Sequence, residues 1–477
     1  MTAVAAVDLG ATSGRVILGH VGRDGLHLRH VARFPNLPVR THEGDASALH
    51  WDVLGLYHAL TAGLADAIRA EPDVMSIGVD SWAVDYALLR RGRLLGAPYH
   101  YRDERTGRGV DDVHARVGAE ELYRRNGLQH LPFTTLFQLA AERDVLPSAD
   151  QALLVPDLIG YWLTGTARTE ITNASTTGLL DPRTRTWDEE LLARLDLPRG
   201  VLAPLIEPGT RLGTLLPTVA DELGAPEGLG VVAVGSHDTA SAVVAVPSTD
   251  DHVAYISSGT WSLVGLELDA PVITPQSRTA NFTNEGGVDG RVRFLRNVSG
   301  LWLLSESIRT WEGRTGEVVD LGSLLAEAAA VRGGVTTFDA ADARFVAPGD
   351  IPARIVAWCG EHGLPAPSTR AELVRSILES LAEAYSATLE EASALSGVLI
   401  DAVHIVGGGS QNELLCQLTA DRTGRTVLAG PVEATAIGNI LVQARSQGLV
   451  SGSLESLRAL VIQAHPPVRY QPRSPAR

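Results

Sequence analysis

The chain has 477 residues, 45% of them apolar, with a mean hydropathy of +0.07 and a formal net charge of −16. This length exceeds the size at which one hydrophobic core usually stops growing, so two domains are expected. No apolar stretch reaches the roughly 18 residues of a membrane span, and no basic run offers a surface to nucleic acid or anionic lipid. All 40 basic residues are arginine, which excludes chemistry built on lysine: the Walker-type P-loop, the strand lysine of protein kinases and Schiff-base catalysis.

The N-terminus runs directly into AVAAVDLG without a basic flank or a small-residue cleavage site, so no secretory leader is expected and the predicted location is the cytoplasm. Cys359 and Cys416 are the only cysteines, and their spacing suits buried small hydrophobes better than a disulfide framework or a zinc site.

In chain order, VAAVDLGATSGRVILGHV predicts a strand, a Gly/Ser/Thr turn and a second strand. Residues 52–70 carry helical spacing, MSIGVDSW and AVDYALLRRGRLLG predict strands with a turn at Arg91 and Gly92, and strands and helices alternate thereafter, the pattern of an α/β protein. VVAVGSHDTASAVVAV predicts a buried strand ending at Gly235 and a helix beginning near Asp238 or Thr239. After the connector PSTDD, VAYISSGTWSLVGLEL repeats the opening design, which suggests two related halves divided near residue 246. Residues 369–396 predict a helix, and DAVHIVGGGSQNELLCQLTADRTG a strand, glycine turn, helix and C-cap. The strand TVLAGP and helices after Glu433 are expected to close the second half, and the tail HPPVRYQPRSPAR is expected to fray.

The turn Gly10–Ala11–Thr12–Ser13–Gly14 can present successive backbone amides and hydroxyls to phosphate oxygens without lysine, and Arg15 adds charge beside it. An ordinary hairpin turn explains the same residues equally well. Ser257, Ser258, Gly259 and Thr260 offer a second such nest, and the two together suit a triphosphate. Asp8, at a strand end, is placed to hold a hydrated Mg2+. Gly407, Gly408 and Gly409 separate a strand from a helix, where a backbone can approach a ligand closely or simply make a tight turn. Phosphoryl transfer to an alcohol needs a carboxylate to take the hydroxyl proton; Asp238 is the candidate, with an N-cap role as the alternative. His237 beside it can bond a sugar hydroxyl. Asp80, Trp82, Asp85, Asn284, Glu285 and Asn297 are further candidates for polyol contacts, as are Arg102, Asp103 and Arg105, which surface salt bridges explain just as well, while Trp302 reads as core.

The motifs VDLGATSGR, GVDSWAVDYALL, YRDERT, TNASTTGLLD, TWDEELL, GSHDTASAV, SSGTWSLVG, NFTNEGG, LRNVSGLWLL and HIVGGGSQNELLCQLTADRTG resemble those of the FGGY family of carbohydrate kinases almost end to end. DSWAVDY, HDTASAV, SSGTWSL, TNEGG and GLWLL are most similar to its branch acting on L-rhamnulose. The resemblance implies two ribonuclease H-like domains of the actin-like ATPase type, residues 1–246 and 247–477, with a ligand cleft between them that closes by a hinge. It implies ATP as phosphoryl donor, Mg2+, a small ketose substrate, and a monomer or homodimer. By the same resemblance Ala11, Thr12, Ser13, Gly14, Arg15, Thr260, Ser305 and Gly408 bind ATP, Asp238 is the catalytic base, and His237, Asp238, Thr239 and Asn297 hold the ketose. Two positions depart from the pattern: Ala83 stands where glycine is expected against the sugar, and Ser305 where a glutamine is expected near the nucleotide. The alternatives are another ketose kinase of the family, acting on L-fuculose or ribulose, and a sugar-binding regulator without transfer activity.

Overall fold

The computed structural model describes residues 2–22, 25–250, 253–332 and 334–473. Thr2–Leu9 and Ser13–Gly22 form the expected antiparallel hairpin, with Asp8 paired to Arg15. Thr2–Leu9 is buried on both faces, which explains why its sequence is nearly all apolar rather than alternating. Its sheet has six strands in the order Arg211–Thr214, Gly230–Val232, Ser76–Ser81, Thr2–Leu9, Ser13–Gly22, Gly25–Pro35. Ser76–Ser81 runs parallel to Thr2–Leu9 in a register that pairs Asp80 with Asp8.

The second hairpin, Val253–Ser258 and Trp261–Leu268, also forms. It lies in a seven-stranded sheet ordered Thr283–Gly286, Val292–Ser299, Trp261–Leu268, Val253–Ser258, Ala402–Val406, Thr426–Ala429, Val468–Tyr470. From Val292–Ser299 onward this order repeats the first sheet strand for strand. In both, the hairpin's first strand has a parallel neighbour, then a second parallel strand, then an antiparallel edge. The repeated sheet design and the α/β class expected from the sequence are therefore present, but the helices after Glu433, expected to close the second half, pack in the unit that holds the first sheet. Fraying of the tail is not: Val468–Tyr470 pairs with Thr426–Ala429, because that edge of the sheet would otherwise leave its backbone groups unpaired. Residues 474–477 lie outside the described residues.

The chain packs as two compact units, residues 1–249 with 267–294 and 433–465, and residues 250–266 with 295–432 and 466–477. In the first unit, Ala3, Ala5, Val7 and Leu9 cluster with Leu56, Leu60 and Leu64 of the helix Val53–Ala70, whose N-cap is Asp52. Each fully buried leucine contributes about 1.5–3 kcal/mol. Helix Ala434–Ser446 reaches the sheet through polar contacts: Gln443 donates to the Ala5 carbonyl (3.0 Å) and accepts from Ser76 Oγ (2.7 Å). It also packs on the helix Asp238–Val244 so closely that a Cβ at Gly438 would lie 1.8 Å from the Ser241 carbonyl oxygen. That contact holds in place the helix whose first residue is Asp238.

In the second unit the helix Arg370–Ser396 begins with a capping box, Thr369 accepting from the Glu372 amide. Cys359 and Cys416 are both buried free thiols. No helix among the described residues is long and apolar enough to cross a membrane.

Candidate active site

Three strand ends meet at one edge of the first sheet. Trp82 N donates to the Leu9 carbonyl (3.2 Å), Ser81 N donates to the Ser236 carbonyl (2.9 Å), and Ser81 bridges to His237. The ends of these strands and the segments that follow them therefore bring together Asp8, Asp80, Ala83 and the run His237–Asp238–Thr239. A carboxylate cluster results. Asp8 and Asp80 are buried, whereas the Asp238 side chain keeps 29% of its surface exposed.

Burial and the negative charge of Asp8 raise the Asp238 carboxyl from the ordinary 3.8 to about 7. Burial also raises Asp8, opposed by the Arg15 guanidinium and reinforced by Glu433. It raises Asp80 well above its ordinary value, with Asp8 adding to the effect. Asp80 Oδ2 accepts from Asn439 Nδ2 (2.6 Å), while Oδ1 has no hydrogen-bond partner among the described residues. The N-cap role considered for Asp238 is not the one it adopts. His237 is the N-cap, without a side-chain cap bond, and Asp238 is the first helical residue. Its Oδ1 accepts from Thr239 Oγ1 (3.1 Å).

His237 is held from both sides. Its Nδ1 accepts from Arg293 Nη2 (3.0 Å), and its Nε2 lies 3.4 Å from Asp238 Oδ1. Burial and the Arg293 charge push its pKa well below the usual imidazole value, so the ring is neutral. The preceding loop is fixed by Glu170, a buried carboxylate not singled out by the sequence. Its oxygens accept from Thr172 N (2.9 Å), Thr172 Oγ1 (2.5 Å), Asn173 N (3.2 Å), Ser236 N (2.9 Å) and Ser236 Oγ (2.9 Å). The one available signal for Glu170 was its place two residues before the motif TNASTTGLLD. Arg293 carried no comparable signal: it is one of two arginines, with Arg296, in the strand Val292–Ser299.

In the turn from Gly10 to Ser13, Gly10 N donates to the Ser13 carbonyl (3.0 Å) and Asn36 Nδ2 to the Gly10 carbonyl (2.9 Å). The amides of Ala11 and Thr12 take no partner among the described residues, as a phosphate-binding nest requires. Gly14 is the second residue of the strand Ser13–Gly22, beside Phe34. Arg15 is already engaged: Nε lies 3.2 Å from Asp8 Oδ2, and Nη1 pairs with Glu433. Its charge is therefore partly neutralised by the two carboxylates.

The remaining predicted nucleotide residues lie in the second unit. Thr260 occupies the hairpin turn, its carbonyl accepting from Trp302 N (3.2 Å), and Ser305 is exposed near the start of the helix Trp302–Thr315. Trp302 is only half-buried, with Nε1 donating to the Phe345 carbonyl (3.3 Å). The glycine turn does not lead straight into a helix N-terminus. It forms a short 3-10 turn, Gly408–Gln411, and the helix Glu413–Thr423 starts beyond the Asn412 cap. Gly407 has a left-handed φ of 82°, and a Cβ at Gly409 would lie 2.0 Å from Ser258 Oγ, so both are glycine for structural reasons. Gly408 has nothing within 4 Å of an added Cβ and therefore no such reason within the fold. Asn297 lies half-buried on Val292–Ser299.

Several candidate polyol residues prove to be internal supports. Asp85 Oδ2 accepts from Trp51 Nε1 (2.6 Å), Trp82 Nε1 (3.1 Å) and Tyr101 N (3.1 Å), and Oδ1 from Gln138 Nε2 (2.8 Å). Arg105 donates to Gln138 and stacks over Tyr99, Asp103 accepts from Leu49 N and Arg105 N, and Asn284 bonds Gly127 and Val272. Arg102 lies over the Tyr101 ring. With four donors on its carboxylate and no exposed surface, Asp85 serves as an internal support.

Ala83 keeps an ordinary backbone, so its methyl group strains nothing locally. Its neighbour Val84 is the strained residue, at φ 67°, a conformation β-branched residues adopt only under constraint. The constraint is visible: the Val84 carbonyl accepts from Thr135 Oγ1 (2.7 Å), and Asp85 N donates across it to the Ala83 carbonyl (2.9 Å).

Residues 3–245 match the N-terminal domain, and residues 254–447 the C-terminal domain, of the FGGY family of carbohydrate kinases. Over 99% of its length the chain is 44% identical to a rhamnulokinase from Pectobacterium carotovorum, covering 93% of that protein. It is 40% identical to one from Bacteroides thetaiotaomicron over 99% of the chain and 96% of the relative. Among solved structures, xylulose kinase from Lactobacillus acidophilus superposes with a TM-score of 0.77 at 17% identity, over 99% of this chain and 94% of that one. Gluconate kinase from the same organism gives 0.78 at 18% identity with the same coverage. At these identities the two structures bear on the fold alone.

Proposed function

We propose that this chain, which belongs to the FGGY family of carbohydrate kinases, is a rhamnulokinase that moves the γ-phosphoryl group of ATP to O1 of L-rhamnulose. In this reading residues 1–246 supply sugar contacts, the first phosphate loop and the base, and residues 247–477 the second loop and the adenosine contacts. The observation that carries the chemistry is Asp238: a partly exposed carboxyl with its pKa raised to about 7, beside a neutral histidine. A base of that strength is half-ionised near neutral pH and accepts a proton efficiently as bonding to phosphorus develops. The O1 lone pair attacks the γ-phosphorus, the bond from the γ-phosphorus to the β–γ bridging oxygen breaks with its electrons leaving on ADP, and the O1 proton passes to Asp238. The sugar identity is supported by the two rhamnulokinase relatives.

His237 and Thr239 hold the ketose with Asp238 and Asn297, and Ala83 narrows the pocket by one methyl group. The amides of Ala11 and Thr12, the Ser13 hydroxyl, the close backbone at Gly14 and the partly neutralised Arg15 take phosphate oxygens, with Thr260, Ser305 and Gly408 completing the nucleotide contacts. Gly408 suits this because no neighbour within the fold accounts for its missing side chain.

Among the described residues no group of three or more His, Cys, Asp or Glu forms a metal cage. Mg2+ in phosphoryl-transfer sites keeps several waters and takes one or two carboxylates plus phosphate oxygens, so the cluster is compatible with it. Asp8, whose Oδ2 lacks hydrogen-bond geometry to any donor among the described residues, is the carboxylate that would hold it through water. When bound, Mg2+ neutralises charge on the phosphates. The protein is expected to act in the cytoplasm as a monomer or homodimer.

The test is the product. L-rhamnulose ends in a methyl group, so O1 is its only primary hydroxyl, and proton-coupled 31P NMR of the product should show a triplet from the two C1 protons. A doublet, from a secondary alcohol, would contradict the assignment.

A further inference from the structure

Arg293 is fully buried, at 0% side-chain exposure, and its guanidinium is seated by three groups. Its Nε donates to the Gly286 carbonyl (2.9 Å), its Nη2 lies 3.1 Å from Glu285 Oε2, and the same Nη2 donates to His237 Nδ1 (3.0 Å). Glu285 Oε2 is in turn 3.5 Å from His237 Nδ1. A guanidinium has only donors and keeps its charge at every accessible pH. The nitrogen that faces it must therefore present a lone pair, which sends the single imidazole proton to the other nitrogen.

We infer that Arg293, seated by Glu285 and Gly286, is a positioning residue that locks His237 in the Nε2–H tautomer and makes it a fixed hydrogen-bond donor toward the acceptor sugar. The arrangement resolves an ambiguity that histidine otherwise carries. A free imidazole beside Asp238 could take a proton and compete with it as base, or present a lone pair where the sugar needs a donor. With Arg293 on Nδ1, the ring neither charges nor flips, and Asp238 is left as the one group that exchanges a proton. The charged groups facing His237 are Arg293, Glu285 and Asp238; the first forbids the imidazolium that the other two would favour. The role toward the sugar rests on the kinase reading above, but the tautomer itself is a property of the protein alone.

The first measurement is therefore made without substrate. In enzyme labelled with 15N-histidine, the His237 resonances are identified by their absence from His237→Gln. They should show the neutral Nε2–H pattern with no titration from about pH 5 to 8, the range in which an ordinary histidine changes charge. A neutral Nδ1–H pattern, or an imidazolium at pH 6, would overturn the inference whatever the enzyme phosphorylates.

Two substitutions then separate positioning from support of the fold. Arg293→Met leaves Glu285 facing Nδ1 and should move the proton there, lowering kcat/KM for the ketose by at least about tenfold, the worth of one hydrogen bond of this type. The loss should deepen toward low pH as the ring charges. Glu285→Gln keeps the guanidinium on Nδ1 and should preserve the Nε2–H pattern, with a smaller kinetic loss. Equal losses from both variants with an unchanged tautomer would show Arg293 to be a packing residue only. Should Arg293→Met fail to fold, the labelled wild-type spectrum still decides the matter.

Discussion

Replacing Asp238 with asparagine separates the base's catalytic role from its cost to the fold. The side chain keeps its shape and its bond from Thr239 but loses its charge. A raised carboxyl holds a proton that the unfolded chain would have released, so the native state loses stability as pH climbs from about 4 to about 7, and the penalty is complete above that. A rise of about three units corresponds to about 4 kcal/mol. Because 29% of the side chain meets solvent, water relieves part of that, leaving a penalty on the order of 2 kcal/mol. Asp238→Asn should therefore melt about 2–4 °C higher than wild type at pH 8. At pH 5 the gain should shrink to about a third, since only about one of the three units has then been traversed. Over the same range its turnover should fall by about 10^2- to 10^4-fold, the contribution of a general base, with ATP still binding. Differential scanning fluorimetry at the two pH values and an ADP-release assay read both quantities. Wild-type turnover in the variant, or a loss of stability equal at both pH values, would refute the reasoning.

Wild-type kcat/KM should rise about tenfold per pH unit on the acid side and flatten above about pH 7, where Asp238 is ionised. Gly409→Ala should destabilise the second unit by about 1–3 kcal/mol, because its methyl would meet Ser258 Oγ. Gly408→Ala should leave the melting temperature unchanged in a thermal scan and instead raise the KM for ATP. Glu170→Gln removes the charge that five donors surround, so a denaturant titration should show a loss of about 2–4 kcal/mol, with kcat reduced through the Ser236–His237 loop. Chelating divalent cations should abolish turnover and added Mg2+ restore it, and Asp8→Asn should raise the Mg2+ concentration needed for half-maximal rate.

Both hairpins were legible because their strands and Gly/Ser/Thr turns are contiguous in sequence, and the repeat of the two sheets followed from their likeness. The helix Arg370–Ser396 was legible as one long helical stretch, 369–396, and the structure adds the cap formed by Thr369 and Glu372. Asp238 and His237 could be singled out because a strand-to-helix junction is also a local pattern. What the sequence could not carry is pairing across distance. Val468–Tyr470 looked like a Pro/Arg-rich tail because the edge it completes, Thr426–Ala429, lies about 40 residues earlier. Arg293 and His237 are 56 residues apart, and Glu170 and Ser236 are 66 apart, so neither support is visible in any window. Asp85 and Arg105 misled for the opposite reason: polar residues near sugar-type motifs suggest ligand contacts, yet buried neighbours such as Trp51 and Gln138 also need partners.

The central claim is phosphoryl transfer from ATP to one particular deoxy-ketose. It is tested most directly by a coupled ADP-release assay with Mg-ATP and L-rhamnulose, L-fuculose, L-ribulose, L-xylulose, D-xylulose and glycerol. The account predicts a kcat/KM for L-rhamnulose well above every other acceptor; a higher value for another ketose would contradict the substrate and point to the Ala83 pocket, and no ADP release with any acceptor would contradict transfer itself.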